Sequence, residues 1–434
     1  MAVGTGTGIE VFGESRIIGE LLGAGGEGQV FALGRDGDRN RPLALKWYHA
    51  NVASPERRSA IRELVKRGAP SEAFLWPLGM IEGQTDDQFG YVMDLRPDGF
   101  IGLAALLRGQ VVRNEASIAR FAFDLSLAFR ALHLRGLCYR DINFGNAFMH
   151  QQTGAALICD NDNVCVEGVG HAHVLGSKKF MAPEIVRGEA LPSKFTDRFS
   201  LAVMLFYLLV VHHPLEGKLT ESGLADAASD IRHFGTHAVF CFDPHETKNS
   251  PHPEWHGHVE GLWNNLPEAI RALFIRSFTV GLHEPTKRVV DSEWCSALAD
   301  LRSGIHTCST CQGSLNLGSN ATRCGRCHAE IEPTLVLEVG PGTTRRVVAT
   351  SGAQITEHHT TGNLNFDKIL ATVETHPTDP TRLGLRNDTD HGVQLRAVDG
   401  TTHEVPPGRR CEVLAGSRIS FGNGSFSVTV SKST

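Results

Sequence analysis

Apolar positions in the middle of the chain recur at spacings of three and four. Ile118, Phe121, Leu125, Phe129 and Leu132 fall on one face of a helix predicted from about Asn114 to Arg135. Gly136 follows as its stop. The run Phe199 to Val211 is 13 residues long with Ser200 inside it, too short to span a bilayer, and predicts a buried helix. Pro42 to Tyr48 and Ala155 to Ile158 read instead as short strands. From Thr334 onward the helical period is lost. Strand-like runs take its place at 335–339, 346–349, 370–373, 393–396 and 426–430. Turn residues separate them (Gly340-Pro341-Gly342, Pro406-Pro407-Gly408, Gly422-Asn423-Gly424), which predicts an all-β sandwich. The whole is an α+β multidomain pattern.

Composition narrows the classes. A chain of 434 residues predicts two or three domains, and 41% apolar with 21% charged residues is ordinary for globular protein. A net charge of −6 argues against broad affinity for nucleic acid or membrane surfaces. Met1 to Ser15 carries no basic residue and no apolar core, so it does not read as a signal peptide, and the expected location is cytoplasmic.

Three stretches carry chemistry. Leu22-Gly23-Ala24-Gly25-Gly26-Glu27-Gly28-Gln29-Val30 reads G-x-G-x-x-G-x-V. Lys46 sits in the strand-like run 42–48. Asp141 follows Tyr139-Arg140, with Asn146 five residues and Asp160 nineteen residues further on. A phosphoryl group in transfer carries spread negative charge, so a protein mainly positions and neutralises it. Glycines at 23, 25 and 28 would let backbone lie close over phosphates. Lys46 would hold the α- and β-phosphates, and it keeps its geometry only if a carboxylate pins it. Glu63, in the helical stretch Glu56 to Lys66, is the best-placed candidate. Asp141 would orient or accept the proton of an attacking hydroxyl. Asn146 and Asp160 offer hard oxygens to Mg²⁺ (or Mn²⁺). Asp162 rivals Asp160 as the metal ligand, but the strand 155–158 ends just before Asp160 and favours it.

On these motifs residues 13–302 resemble a Ser/Thr protein kinase domain, bilobal, with a small lobe at about 13–95 and a large lobe at about 96–302. The resemblance implies ATP and a protein substrate. It puts Gly23, Gly25, Gly28, Val30, Lys46, Met93 and Leu95 around the nucleotide, the last two in the Tyr91-Val92-Met93-Asp94-Leu95 segment that runs into the hinge. Met181-Ala182-Pro183-Glu184 matches the family's A-P-E segment. Asp197 matches the aspartate opening the central helix, and Arg288 the arginine that pairs with Glu184. Departures accompany these matches. Tyr139 stands for the usual histidine, Asn143 for the lysine that reaches the γ-phosphate, and Asp160-Asn161-Asp162 for D-F-G. Losing the cation at 143 predicts a slow or partner-dependent enzyme. The competing reading is a pseudokinase that binds without turnover. Ser177 is the only hydroxyl residue between Asp160 and Glu184, and by resemblance it sits beside the catalytic aspartate. Arg140, which in the family helps hold an activating phosphate, is then expected to meet a carboxylate or a backbone carbonyl.

Ten cysteines divide into two groups. Cys308-x-x-Cys311 and Cys324-x-x-Cys327 are two knuckles twelve residues apart, a four-thiolate set that suits a closed, structural Zn²⁺ site in a ribbon at 303–332. Two disulfides are the alternative. The other six are scattered and read as small buried hydrophobes. The region holds only Arg323 and Arg326 as cations between 307 and 328, too few for a nucleic-acid surface.

Residues 333–434, through Gly392-Val393-Gln394-Leu395, Pro406-Pro407-Gly408 and 415–422, resemble the second half of an FHA domain. The pair of residues that would bind phosphothreonine is missing from its places, so docking and phosphopeptide binding both stay open. The order kinase, four-cysteine ribbon, β-sandwich resembles bacterial kinases found with a von Willebrand A-type protein and a PP2C-type phosphatase in tellurite-resistance-like stress systems. By that likeness the first would be a partner or substrate and the second an opposing enzyme.

Overall fold

The computed structural model describes residues 4–34, 42–85, 87–167, 176–221, 226–340, 345–379, 381–421 and 426–433. The turns expected at Pro341-Gly342 and Gly422–Gly424, and residues 168–175 of the segment before Glu184, lie outside the described residues.

The amino-terminal part is a six-stranded antiparallel sheet. Its strands are β1 (Gly8–Val11), β2 (Glu14–Ala24), β3 (Gly28–Gly34), β4 (Leu43–Tyr48), β5 (Gly79–Glu82) and β6 (Phe89–Asp94), in spatial order β1-β2-β3-β4-β6-β5. Strand alternation divides β4 between two cores. Leu43 and Leu45 pack with Val11, Ile18, Phe31 and Val92, whereas Ala44 and Tyr48 join the core shared with the helical part. Lys46 falls on the second face by the same period. Helix α1 (Pro55–Arg67) covers that face through buried Ile61 and Leu64. Ser54 caps it by accepting from Arg57 N at 3.2 Å, and Gly68, at φ 68°, ends it.

The helical part begins at β7 (Phe100–Gly102) and α2 (Leu103–Leu107). Helix α3 (Glu115–Leu134) buries Ile118, Phe121, Leu125, Phe129 and Leu132 as the periodicity predicts. Asn114 caps its start and Gly136, at φ 68°, follows its end. Then come β8 (Leu137–Cys138), β9 (Ala147–His150), β10 (Ala156–Ile158), β11 (Cys165–Val166) and α4 (Pro183–Val186). Helix α5 (Lys194–Val210) holds the long apolar run, almost wholly buried. Among the described residues the α-helices that follow are α6 (Lys218–Glu221), α7 (Ala227–Ile231), α8 (Gly257–Asn265), α9 (Glu268–Phe278), α10 (Val280–His283) and α11 (Asp291–Gly304).

Next, β12 (Ile305–Thr307) pairs with β13 (Ser314–Asn316) around Cys308 and Cys311, and the segment after β13 brings Cys324 and Cys327 to them. The two knuckles share one backbone design. Gln312 and His328, each just past the second cysteine of its pair, have φ of 57° and 60°. Their amides return to Cys308 O and Cys324 O at 3.0 and 2.9 Å.

The carboxy-terminal region is β-rich, in two facing sheets. Its strands are β14 (Leu335–Val339), β15 (Arg345–Val348), β16 (Gln354–Thr356), β17 (Ile369–Thr375), β18 (Leu383–Asn387), β19 (Val393–Arg396), β20 (Thr402–Val405), β21 (Arg410–Glu412), β22 (Arg418–Phe421) and β23 (Phe426–Lys432). One sheet runs β15-β14-β23-β22-β19-β20 and the other β16-β17-β18-β21. Leu337, Val393, Ile419 and Val428 of the first meet Ile355, Val373 and Leu385 of the second in one core. A short helix, α12 (Glu357–Thr361), and the loop after it leave the second sheet and pack on the helical part. Phe366 meets Phe123 of α3 edge-on at 5.1 Å and lies 4.1 Å beneath the Arg302 guanidinium. The His359 ring lies 3.0 Å from Ser303 Oγ.

A buried ion pair closes the helical part. Arg288 donates through both terminal nitrogens to Glu184, each at 2.8 Å, and to the carbonyls of Phe195 and Gly281 at 2.9 and 2.8 Å. Removing one partner of such a pair strands the other charge, which costs about 3–5 kcal/mol. Arg288→Ala is therefore expected to lower unfolding free energy by about that amount, read by urea or thermal denaturation, while Arg288→Met with Glu184→Leu recovers part of the loss.

Candidate active site

Between the small sheet and the helical part lies a cleft roofed by the β2–β3 turn. Among the described residues, a Cβ added at Gly23, Gly25 or Gly26 would meet nothing within 4 Å, so these three positions border open space. Gly28 differs. It is already part of β3, and a Cβ there would stand 2.3 Å from Trp47 O, so its glycine serves the β3–β4 approach rather than clearance over a ligand. Val30 pairs with Lys46 across β3–β4, and Met93 pairs with Ala44 across β4–β6. With Leu95 they form the apolar wall behind the roof, Met93 buried and the other two half-buried.

Lys46 is buried on its strand and ringed by carboxylates. Its Nζ lies 2.5 Å from Asp160 Oδ1, 2.9 and 2.8 Å from the two oxygens of Asp162, and 3.5 Å from Glu27. Burial opposes its charge, but the carboxylates of Asp162 and Asp160 win and hold the ammonium protonated above its ordinary value. Glu27, Asp160 and Asp162 could by spacing hold a metal ion, yet here the ammonium stands among them. Asp162 also accepts from Tyr48 Oη and, at 3.3 Å, from Tyr91 Oη. Burial works against ionisation of Asp162, and the Lys46 charge overcomes it, drawing the carboxyl down to about 2. Asp160 is pushed up to about 6 by burial and by the neighbouring Asp162 charge.

The structure does not bring Glu63 to Lys46. Glu63 is on the outer face of α1, 46% exposed, in an i,i+4 pair with Arg67 at 2.7 Å. Its place on α1 is set by local sequence, but the rotation of α1 turns it to solvent, and no α1 carboxylate meets Lys46 among the described residues. That helix sends Arg57 toward the cleft instead, 2.8 Å from Glu27 of the roof.

Asp160 and Asp162 are separated by environment. Asp160 is a non-glycine residue at φ 55°, ψ 43°, a strained conformation common at functional sites. Its carboxylate is about one-third exposed, with Oδ2 accepting from Asn163 Nδ2 at 3.1 Å. The Asp162 side chain is 1% exposed. Between them Asn161 is buried and donates to Leu75 O and Ile158 O at 2.7 and 3.0 Å, replacing apolar packing by hydrogen bonds.

The catalytic-loop candidates sit below. Asp197, in the first turn of α5, accepts from Tyr139 N at 2.6 Å and Arg140 N at 2.9 Å, which fixes the loop's entry. The Tyr139 hydroxyl donates to Cys159 O, and Arg140 Nε meets the backbone carbonyl of Asn163 at 2.6 Å. Asp141 Oδ1 accepts from Ser177 Oγ at 2.8 Å. Asn146 Nδ2 donates to Asp141 O at 3.0 Å, and Cys159 N donates to Asn146 O at 2.8 Å, so Asn146 is tied to the residue before Asp160. Asn143 turns into its own loop, donating to Asp141 O and accepting from Gly145 N at 2.7 Å.

Tyr48, Tyr91, Glu27, Arg57 and His133 escaped the sequence reading. Only Tyr48 had a local signal, since two residues from Lys46 on a strand means the same face.

Residues 17–272 match the family profile described as "Protein kinase domain", more than half of the chain, and the chain belongs to the protein kinase family. It is similar to serine/threonine-protein kinase SCH9 of Candida albicans, 26% identical over 257 residues, covering 57% of this chain and 30% of that protein. Protein kinase YegI of Escherichia coli is 26% identical over 330 residues, covering 70% and 47%. Beta-adrenergic receptor kinase 1 of Homo sapiens is 28% identical over 138 residues, covering 32% and 20%. The chain thus spans less than half the length of each of these relatives.

His133, at the end of α3, bridges Asp197 at 3.2 Å and Asp291 at 2.9 Å. Burial opposes its charge, but the two carboxylates raise it to about 9. A raised folded value means the imidazolium's stabilisation is complete below the unfolded value of about 6.5 and is lost as pH rises through about 9. Across that window the protein should lose up to about 3 kcal/mol. Denaturant unfolding at pH 6 and pH 9.5 measures this, and His133→Gln should remove most of the step.

Proposed function

We propose that this chain is an ATP-dependent protein Ser/Thr kinase, transferring the γ-phosphoryl group to a hydroxyl of a protein partner. The observation that carries the reading is the juxtaposition in one cleft of Lys46 on Asp160 and of Asp141 on a serine hydroxyl. In this reading Lys46 holds the α- and β-phosphates beneath Gly23 and Gly25. Val30, Met93 and Leu95 bed the adenine. Asp160 and Asn146, as hard oxygen donors, take Mg²⁺ or Mn²⁺, which neutralises charge on the phosphates. Asp141 receives the acceptor hydroxyl. Ser177, hydrogen-bonded to it, stands where that hydroxyl is seated, which favours Ser/Thr over Tyr. The Arg140–Asn163 contact supports control by a partner rather than by a phosphate on this segment.

The pseudokinase alternative draws on Asn143, which leaves the γ-phosphate without its usual cation. Transfer of labelled γ-phosphate with Mg²⁺ or Mn²⁺ separates the two readings.

The four cysteines are assigned to one structural zinc. Their thiols lie within 4.8 Å of one another on two knuckles of the same backbone design, which suits a tetrahedral ion. The strand order of the carboxy-terminal sheets supports an FHA-like sandwich. Because the loop after α12 is engaged on α3, docking is favoured over phosphopeptide capture. Domains at 13–302, 303–332 and 333–434 follow from this reading. A von Willebrand A-type protein as substrate, a PP2C-type phosphatase as its opponent, and a cytoplasmic stress-signalling role complete the proposal. Among the described residues no helix is long and apolar enough to cross a membrane.

Asp141→Ala or Lys46→Ala should lower transfer by roughly a hundredfold or more, about 3 kcal/mol of barrier. Asp141→Ala should leave nucleotide affinity nearly intact. Unchanged transfer in the Asp141 variant would refute the assignment.

Metal analysis should return one zinc per chain. Cys311→Ser should lose it and unfold the 305–331 region while the kinase core still melts cooperatively, because structural zinc contributes on the order of 10 kcal/mol to local folding. A zinc-free, folded wild-type protein would end the claim.

A further inference from the structure

We propose that Asp162 is the residue that positions Lys46, so that the lysine site is built by the 160–162 turn itself and does not depend on a carboxylate from α1. The inference rests on the kinase reading of the cleft and deepens it. A buried ammonium aimed at phosphates must be held by a carboxylate that the phosphates and their metal do not displace. Asp160 cannot serve, because its carboxylate is partly open and is the metal ligand of the proposed reaction. Glu27 lies on the roof, 3.5 Å away and shared with Arg57. Asp162 meets the requirement: both of its oxygens reach Nζ, at 2.9 and 2.8 Å. Its remaining acceptor positions face Tyr48 Oη and Tyr91 Oη, and its side chain is closed to solvent. Tyr48 shares β4 with Lys46, and Tyr91 is the residue that pairs with Lys46 on β6, so the lysine and both hydroxyls are fixed on one sheet facing the carboxylate.

Three features of the site, the last of them a departure from the family pattern, then share one cause. With an aspartate two residues past Asp160 holding the lysine, the inward face of α1 needs no glutamate, and Glu63 pairs with Arg67 in solvent. The helix is free to present Arg57, which holds Glu27 of the roof at 2.8 Å and lies over the Tyr48 ring at 5.2 Å. The third is the D-F-G glycine position, occupied here by Asp162 itself.

A merely structural Asp162, present only to neutralise a buried cation, predicts loss of folding and no specific link to turnover. The test is a double-mutant cycle on γ-phosphoryl transfer, with thermal midpoints measured on every variant. Asp162→Asn keeps the shape and one acceptor while removing the charge. It should lower kcat/KM for ATP by roughly 30-fold or more, approaching Lys46→Met, in protein that remains folded. In the Lys46→Met background it should cost less than about twofold further, because the interaction it serves is already gone. Glu63→Gln, turned to solvent, should stay within about twofold of wild type. An unaltered Asp162→Asn enzyme, additive losses in the double variant, or a Glu63→Gln enzyme as impaired as Lys46→Met would each overturn the proposal.

Should Asp162→Asn not fold, Tyr48→Phe replaces it. This variant keeps the carboxylate but removes a hydroxyl that aligns it. A drop of several-fold that vanishes in the Lys46→Met background supports the anchor; no drop, or an additive one, refutes it. If the wild-type protein transfers no phosphate, the turnover reading fails by itself. The same variants then report through ATP affinity: weakening by Asp162→Asn and Lys46→Met but not by Glu63→Gln upholds the anchor, and any other pattern removes it.

Discussion

A charge taken out of water must be met by an opposite charge with its remaining lone pairs satisfied, and the architecture of this protein kinase domain is arranged around that constraint. It operates at three buried places. Lys46 is met by Asp162 and Asp160 between the sheet and the turn. Asp197 and Asp291 close on His133 where α3, α5 and α11 converge. Glu184 and Arg288 lock the segment after Ser177 to the base of α5. Each meeting joins pieces of chain far apart in sequence, the Lys46–Asp162 contact spanning 116 residues. Hydrophobic packing builds the cores, and these pairs set how the elements around them are aimed.

What the sequence made legible follows from where the information sits. Residues whose role is carried by immediate neighbours could be read directly. The apolar face of α3 and its caps are local periodicity and local capping. The Asp141–Asn146 spacing, the Glu184 segment and the cysteine knuckles are local backbone designs. Ser177 beside Asp141 and the Arg288–Glu184 pair came from family resemblance, and the geometry agrees with both.

Partner choice across the fold was not legible. Glu63 was expected at Lys46 and Asp162 was weighed only as a metal ligand; the rotation of α1 and the path of the 160–162 turn bring Asp162 to the lysine instead. In the carboxy-terminal region the strongly apolar strands were evident, whereas Thr402–Val405 is mostly exposed and Gln354–Thr356 and Arg410–Glu412 have three residues each, too short for alternation to stand out. Helix α12, five residues long, has no period to read. Gly28 fits the loop motif, but its Cβ clearance is set by Trp47 on the next strand, which no motif describes.

The β-rich region is part of the scaffold behind the loop bearing Asp141. Phe366 reaches out of its second sheet to Phe123 on α3, and Arg302 of α11 lies over both rings, at 4.1 Å from Phe366 and 5.9 Å from Phe123. Aromatic contacts of this kind contribute about 0.5–1.5 kcal/mol beyond their buried area. They act on the helix whose far end carries His133 and, five residues past its close, the Tyr139 amide held by Asp197. The same α11 that supplies Asp291 to His133 supplies Arg302 and Ser303 to the carboxy-terminal loop. The first turn of α11 therefore braces the entry of the loop bearing Asp141, and its last turn receives the β-rich region. A change in that docking alters the packing on both helices that hold His133, and the loop bearing Asp141 stands on them.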